Sequence, residues 1–272
     1  NHDSTPRSEE VTPLELFFDL VFVFAISQLT HHLAAHLSWR SAGETIVMLL
    51  AVLTVWSYTS WAATMVSVDQ VKTRWMILAV MLLGLFMNAA IPEAFGPSAW
   101  SFVIPLLLIQ LGRTVWTIVT APSAAYREHY VRVLWWFSAT ASLWLVGATV
   151  DPAIRLVWWG LAAGIELIGT WLAHPVPRRR LHSQHIPFNA DHMLERCSLF
   201  LLIALGETVL ATGAAIAHAP MTLLTIITGS CALAVTVALW SLTFGRSHRL
   251  TLRHVKTSTD PVRVGRLAVN AV

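Results

Sequence analysis

Seven ionisable side chains interrupt stretches otherwise apolar enough for lipid: Glu15 and Asp19 in "PLELFFDLVFVF", Arg113, Glu166, Glu195 and Arg196 in "LERCSLF", and Glu207 in "IALGETVL". A charged group at membrane depth costs about 3 kcal/mol on insertion scales, so such residues face protein, find partners and mark function. Glu15 and Asp19 stand i,i+4 and share one helix face, while Arg196 and Glu207, eleven residues apart, differ by only about 20° around a helix axis. If both faces turn inward, Arg113 and Arg196 can each neutralise one carboxylate. The acids left over among Glu15, Asp19, Glu166, Glu195 and Glu207 can then exchange a proton in the physiological range. That chemistry suits proton coupling or general-acid catalysis. Simpler uses stay open. Glu15 and Glu195 lie within about a turn of the interface and can reach water, an arginine–carboxylate pair can be an architectural clamp, and Gly160, Gly164 and Gly169 around Glu166 suit close helix packing.

The elements that must position these groups are read from composition. Of 272 residues, 56% are hydrophobic and 12% charged, with mean hydropathy +0.62, about half the charge of an ordinary soluble domain. Spans of about 20 apolar residues cross a bilayer, and eight stretches qualify, near 14–36, 44–66, 75–92, 98–121, 131–150, 153–174, 193–217 and 221–244. The fold expected is all-α, a polytopic transmembrane bundle forming one domain over 13–244. It is preceded by a polar, disordered start (1–12), carries a long cytoplasmic loop (175–191) and ends in a basic cytoplasmic tail (245–272). The first stretch is too long and too acidic at its start for a cleaved signal peptide.

Charge distribution orients the bundle. Fourteen Lys and Arg fall at the start, in the even-numbered loops and in the tail, against Arg40 and Arg155 in the odd loops. Strict alternation of this kind places both termini in the cytoplasm. The net charge of +3 is thereby assigned to topology rather than to a nucleic-acid partner. On this orientation Asp19 lies roughly 9 Å inside the membrane and Glu207 roughly 20 Å, at 1.5 Å per residue.

Thirteen tryptophans divide into two groups. Trp39, Trp75, Trp100, Trp135, Trp136, Trp158, Trp159 and Trp171 fall where helices meet headgroups. Trp56, Trp61, Trp116, Trp144 and Trp240 lie deeper, as packing or as the wall of a cavity, with Trp56 and Trp116 candidate substrate contacts. His32 with His36, and His182, His185 and His192, form no complete ligand set and read as interfacial. No metal and no cofactor is expected. Cys197 and Cys231 have no metal or disulfide spacing, and a retinal-type Schiff base is excluded because Lys72 and Lys256, the only lysines, lie in loops.

Two separated segments carry a family resemblance. "VTPLELFFDLVFVFAISQLTHHL" (11–33) resembles the opening motif of the LtrA family, the bacterial low temperature requirement A membrane proteins, and "ERCSLFLLIALGETVLATG" (195–213) is similar to its Glu-Arg segment followed by a Gly-Glu-[Ser/Thr] step. The resemblance implies a multi-pass protein of the bacterial inner membrane with its signature on Glu15, Asp19, Glu195, Arg196, Gly206 and Glu207. Family members generally continue into further helices, whereas this sequence ends soon after the eighth stretch and reads "LWSLTFGRSH" (239–248) where an aromatic-rich step ending in Asp is expected.

Three functions fit these residues. In a proton-linked small-molecule transporter, Asp19 and Glu207 titrate, with Glu15 beside them as a further candidate acid, while Arg113 and Arg196 set their pKa values or bind an anion and Glu166 and Glu195 are substrate contacts or charge partners. In an intramembrane enzyme acting on a lipid or isoprenoid, as in membrane terpene cyclases, a protonated carboxyl is the general acid and deep tryptophans stabilise a cation. The third is a non-catalytic envelope protein. A closed Trp-lined cavity favours catalysis, and helices broken at the midplane at Pro92 or Pro105 favour transport.

Overall fold

The computed structural model describes residues 11–66, 70–176 and 190–244. The polar start, most of the long loop with His182 and His185, and the basic tail lie outside the described residues. Among those described, eight helices follow one another: α1 (Pro13–Ala35), α2 (Trp39–Val66), α3 (Val71–Ala89), α4 (Ala99–Thr120), α5 (Ala124–Thr149), α6 (Pro152–Leu172), α7 (Ala190–His218) and α8 (Leu223–Phe244). A 3₁₀ turn, Ile91–Glu93, joins α3 to α4. All eight are long and apolar enough to cross a membrane, and the protein is a polytopic helical bundle.

Several helices begin before the apolar stretch that announces them. α5 starts at Ala124 because Ser123 caps it, its hydroxyl accepting from the Tyr126 amide. Pro152 occupies the first turn of α6 behind Asp151, whose carboxylate accepts from the Ala153 amide at 2.7 Å. Inside the helices hydroxyls return to the preceding turn: Thr59 donates to the Val55 carbonyl, Thr114 to Gln110 and Thr117 to Arg113. Small polar residues are thereby satisfied without water. Pro105 does not break α4, which continues through it, and Pro92 sits in the 3₁₀ turn.

The chain divides into two compact units, one formed by residues up to Val23 together with those from Asn189 onward, the other by Phe24–Phe188. In the larger unit α4 packs against α3 and α5, and α5 against α6, while α2 touches α3, α4 and α6. Its apolar window is 72% buried against 33–44% for α3 to α6, so α2 is the central post. Arg155 ties the α5–α6 end together. Its guanidinium donates to the carbonyls of Gly147 (3.0 Å), Ala94 (3.1 Å), Gly96 (2.8 Å) and Val150 (3.4 Å), satisfying acceptors that helix and turn ends leave open. Trp159, expected among the interfacial rings, is instead fully buried, its ring packed against Phe95, Phe102 and Trp144 and its indole N–H donating to the Trp144 carbonyl at 3.1 Å.

That ring can sit there because residue 147 is glycine. A Cβ at Gly147 would fall on Cδ1 and Nε1 of Trp159, well inside van der Waals contact, and the indole is held by Phe95, Phe102, Trp144 and its own hydrogen bond. Gly147→Ala is therefore expected to destabilise the protein by about 1–3 kcal/mol, the usual range for overpacking, despite the better helix propensity of alanine. A thermal unfolding midpoint in detergent that stays at the wild-type value would show that the indole has room to shift.

In the smaller unit α7 packs against α8. The start of α1 lies beside the start of α7 in parallel, since residue 15 meets 192 and residue 19 meets 196. α8 is only 6% buried, and most of its side chains are exposed.

Candidate functional site

The four residues meeting in the smaller unit form two i,i+4 pairs. Glu15 and Asp19 stand one turn apart on α1, His192 and Arg196 one turn apart on α7. Each pair shares a helix face, so two parallel helices bring all four together. Glu15 Oε1 lies 3.1 Å from His192 Nε2 and 3.6 Å from Arg196 Nη1. Asp19 Oδ1 accepts from Arg196 Nη2 at 2.9 Å. Glu15, Asp19 and Arg196 are no more than 1% exposed, and the ring of Phe18 lies 5.5 Å from the guanidinium carbon in a cation–π arrangement.

Glu15 has a second task. Its Oε2 accepts from the Thr12 amide at 2.9 Å and the Thr12 hydroxyl at 3.0 Å, and the Thr12 hydroxyl faces the Glu15 amide at 3.4 Å. Thr12-Pro13-Leu14-Glu15 is thus a capping box that closes the first turn of α1. One oxygen of Glu15 holds its own helix and the other reaches α7. The Glu15–His192 bond has a chemical consequence. A carboxylate only accepts and a neutral imidazole nitrogen donates or accepts by tautomer, so His192 Nε2 carries the hydrogen of this bond when Glu15 is ionised.

The other residues singled out by sequence are placed elsewhere. Glu195 is exposed, because it is one residue from Arg196 and neighbours in sequence do not share a helix face. Glu207 is partly exposed and makes no hydrogen bond or ion pair with a described residue, and Gly206 beside it is exposed. It lies about three turns beyond Arg196, where most of α7 is exposed. His192, read as interfacial, is buried and bonded to Glu15.

Arg113 and Glu166 belong to the larger unit. Glu166 on α6 is 1% exposed and accepts three hydrogen bonds, from Thr140 Oγ1 (2.9 Å) and Trp144 Nε1 (2.9 Å) at Oε1 and from Gln110 Nε2 (3.0 Å) at Oε2. Arg113, one turn along α4 from Gln110, makes no salt bridge with a described residue. Its Nη1 instead donates to the Val55 carbonyl (3.2 Å) and Thr59 hydroxyl (3.3 Å) of α2, with the rings of Tyr58 and Phe137 at 5.3 and 5.9 Å. Glu166 and Arg113 attract one another through space rather than by contact. The Tyr58 hydroxyl extends this polar column to Thr170 Oγ1 and His174 Nε2, both at 3.0 Å. His174 and Ala173 both hold left-handed backbone, φ 53° and 58°. Such geometry costs a non-glycine residue about 1–3 kcal/mol, and here the His174 amide donates to the Gly169 carbonyl at 2.8 Å. Trp56 is buried inside the unit and Trp116 half-buried at its surface. Trp144 is engaged with Glu166, so this ring serves hydrogen bonding and packing.

A third polar group was not anticipated. Glu44 on α2 accepts from Arg40 Nε at 2.8 Å and meets His32 Nε2 at 3.2 Å, while His32 Nδ1 reaches the Pro92 carbonyl at 3.2 Å. The i,i+4 spacing of Arg40 and Glu44 was the available signal.

Eight apolar helices among the described residues, with buried carboxylates and arginines in each of the two units, define a multi-pass membrane protein. The model of the bacterial low temperature requirement A protein family matches residues 10–271. The chain belongs to the LtrA family. A protein of Rhizobium meliloti (strain 1021) described as uncharacterized is 30% identical over 215 residues, covering 78% of this chain and 52% of that one. The chain thus spans about half the length of that curated relative. No solved structure matches it.

Proposed function

We propose that this LtrA-family protein is a proton-linked small-molecule transporter of the bacterial inner membrane, with both ends of the helical array facing the cytoplasm. The proton site is the cluster of Glu15, Asp19, His192 and Arg196, and the observation that supports it is the buried bond between Glu15 Oε1 and His192 Nε2. With His192 neutral and both acids ionised, these four groups sum to one negative charge; a proton on the Glu15–His192 pair brings them to zero. In a low-dielectric surround that change alters the stability of the packed helices far more than it would in water. Proton uptake then biases one arrangement of α1 against α7, the kind of two-state element that couples a proton to a solute. Asp19 keeps Arg196 in place in both states, and the capping box keeps Glu15 on its helix.

The test uses the full chain reconstituted into lipid vesicles, exposed to a small-molecule extract of bacterial cells with and without an imposed proton gradient, and analysed by mass spectrometry of the vesicle contents. Wild type is expected to accumulate at least one solute only when the gradient is present, and Asp19→Asn is expected to lose that accumulation. Identical contents in wild-type and protein-free vesicles under both conditions would overturn the proposal.

A further inference from the structure

Between α3 and α4 the larger unit carries an open groove of about 580 Å³. Its two ends differ in chemistry. Lys72, exposed at the first turn of α3, lies at one end together with Trp75 and Trp116, and Arg113 lines the wall nearby. Further along, the lining is aliphatic, from Val80, Leu83 and Leu108. Trp75 is 67% and Leu108 54% exposed, so the groove opens to the outside of the unit where acyl chains would lie. Arg113 is 2% exposed, its guanidinium turned toward α2, where Nη1 donates to Val55 and Thr59. Its Nε and Nη2 are buried and make no hydrogen bond with a described residue, so it reaches the groove only through its field, while the Glu166 carboxyl is engaged by Gln110, Thr140 and Trp144. The floor is open at Gly112, where an added Cβ would meet nothing within 4 Å.

We propose that this groove binds one anionic phospholipid, its phosphate held at Lys72 and within the field of Arg113, its glycerol region against Trp75 and Trp116, and one acyl chain along Val80, Leu83 and Leu108. Cations with interfacial tryptophans recognise an acidic headgroup, and basic pockets between membrane helices are established sites for such lipids. An aliphatic trough continuing inward from that end fits a tail and excludes a soluble anion as the natural occupant. On the orientation the charge distribution implies, the lipid comes from the cytoplasmic leaflet. The site stands independently of the proton cluster and of whether the protein transports anything.

Two substitutions separate the headgroup from the tail. Lys72→Glu reverses an exposed charge, and Gly112→Leu adds a side chain to the floor at a position where its Cβ has free space. The purified full chain would be titrated with phosphatidylglycerol and, separately, phosphatidylcholine of the same acyl chains, and bound lipid counted by native mass spectrometry. Wild type is expected to hold one phosphatidylglycerol per chain in clear preference to phosphatidylcholine. Lys72→Glu should weaken phosphatidylglycerol binding about tenfold while leaving phosphatidylcholine unchanged, and Gly112→Leu should lower both. Equal retention of the two lipids by wild type, or wild-type phosphatidylglycerol binding in both variants, would overturn the proposal. Competition by glycerol phosphate as effective as that of the whole lipid would also overturn it, since the tail would then contribute nothing.

Discussion

Arg196→Met is expected to remove most of the folded protein. The guanidinium lies 2.9 Å from Asp19 and 3.6 Å from Glu15 at 1% exposure, and removing one partner of a buried ion pair costs about 3–5 kcal/mol because the remaining charge is left uncompensated. A domain stable by only about 5–15 kcal/mol loses much of its margin that way. The effect should be reversible by removing the acids as well. In Glu15→Gln/Asp19→Asn/Arg196→Met no charge is stranded, glutamine can still complete the capping box with Thr12, and the cost of an uncompensated buried charge is removed. Size-exclusion yield and thermal unfolding in detergent should therefore show a severe loss for the single variant and substantial recovery for the triple. Wild-type stability of Arg196→Met would mean the charges are screened from one another and the cluster does not hold α1 to α7.

At Glu166 the expected contrast is between two replacements of similar size. Glu166→Leu strands the Trp144 indole N–H and the Gln110 amide, each costing about 1–3 kcal/mol when buried without a partner, although Thr140 can turn its hydroxyl to the Phe137 carbonyl, 3.3 Å away. A total loss of about 3–5 kcal/mol is expected. Glu166→Gln should lose less than half of that. Its oxygen can keep Trp144 and Thr140, and Gln110, whose Oε1 makes no hydrogen bond with a described residue, can turn its amide over to accept from the new N–H2. Chemical unfolding in detergent would read both variants. Equal losses would show that the carboxylate serves as the counter-charge of Arg113 rather than as an acceptor for three donors.

How much of this was legible in the sequence depends on what lipid does to a sequence pattern. The eight spans were plain because about 20 apolar residues are needed to cross hydrocarbon. Helix faces were not, since a helix between lipid and protein is apolar all round and periodicity no longer separates inside from outside. Glu15, Asp19 and Arg196 stood out because charge there is costly and i,i+4 spacing fixes a shared face. The partners of Glu166 did not, because Gln110, Thr140 and Trp144 reach it from two other helices across 56, 26 and 22 residues of sequence. Some signals were present and read differently. Thr12-x-x-Glu15 carries a capping-box pattern at the head of the first span, and Arg155 counts as a loop charge for topology although it clamps four carbonyls. Glu195 shows the converse, adjacent to Arg196 in sequence and turned away from its partners by the helical rotation.

Proton-linked transport as proposed requires the Glu15–His192 pair to take up and release a proton inside the folded protein. Infrared difference spectroscopy of the protein in lipid nanodiscs, stepped through the physiological pH range, measures this directly through carboxyl and imidazole bands. The expected result is one reversible protonation signal from a water-shielded group, present in wild type and absent in Glu15→Gln and in His192→Leu. A wild-type spectrum identical to that of Glu15→Gln across the whole range would contradict it.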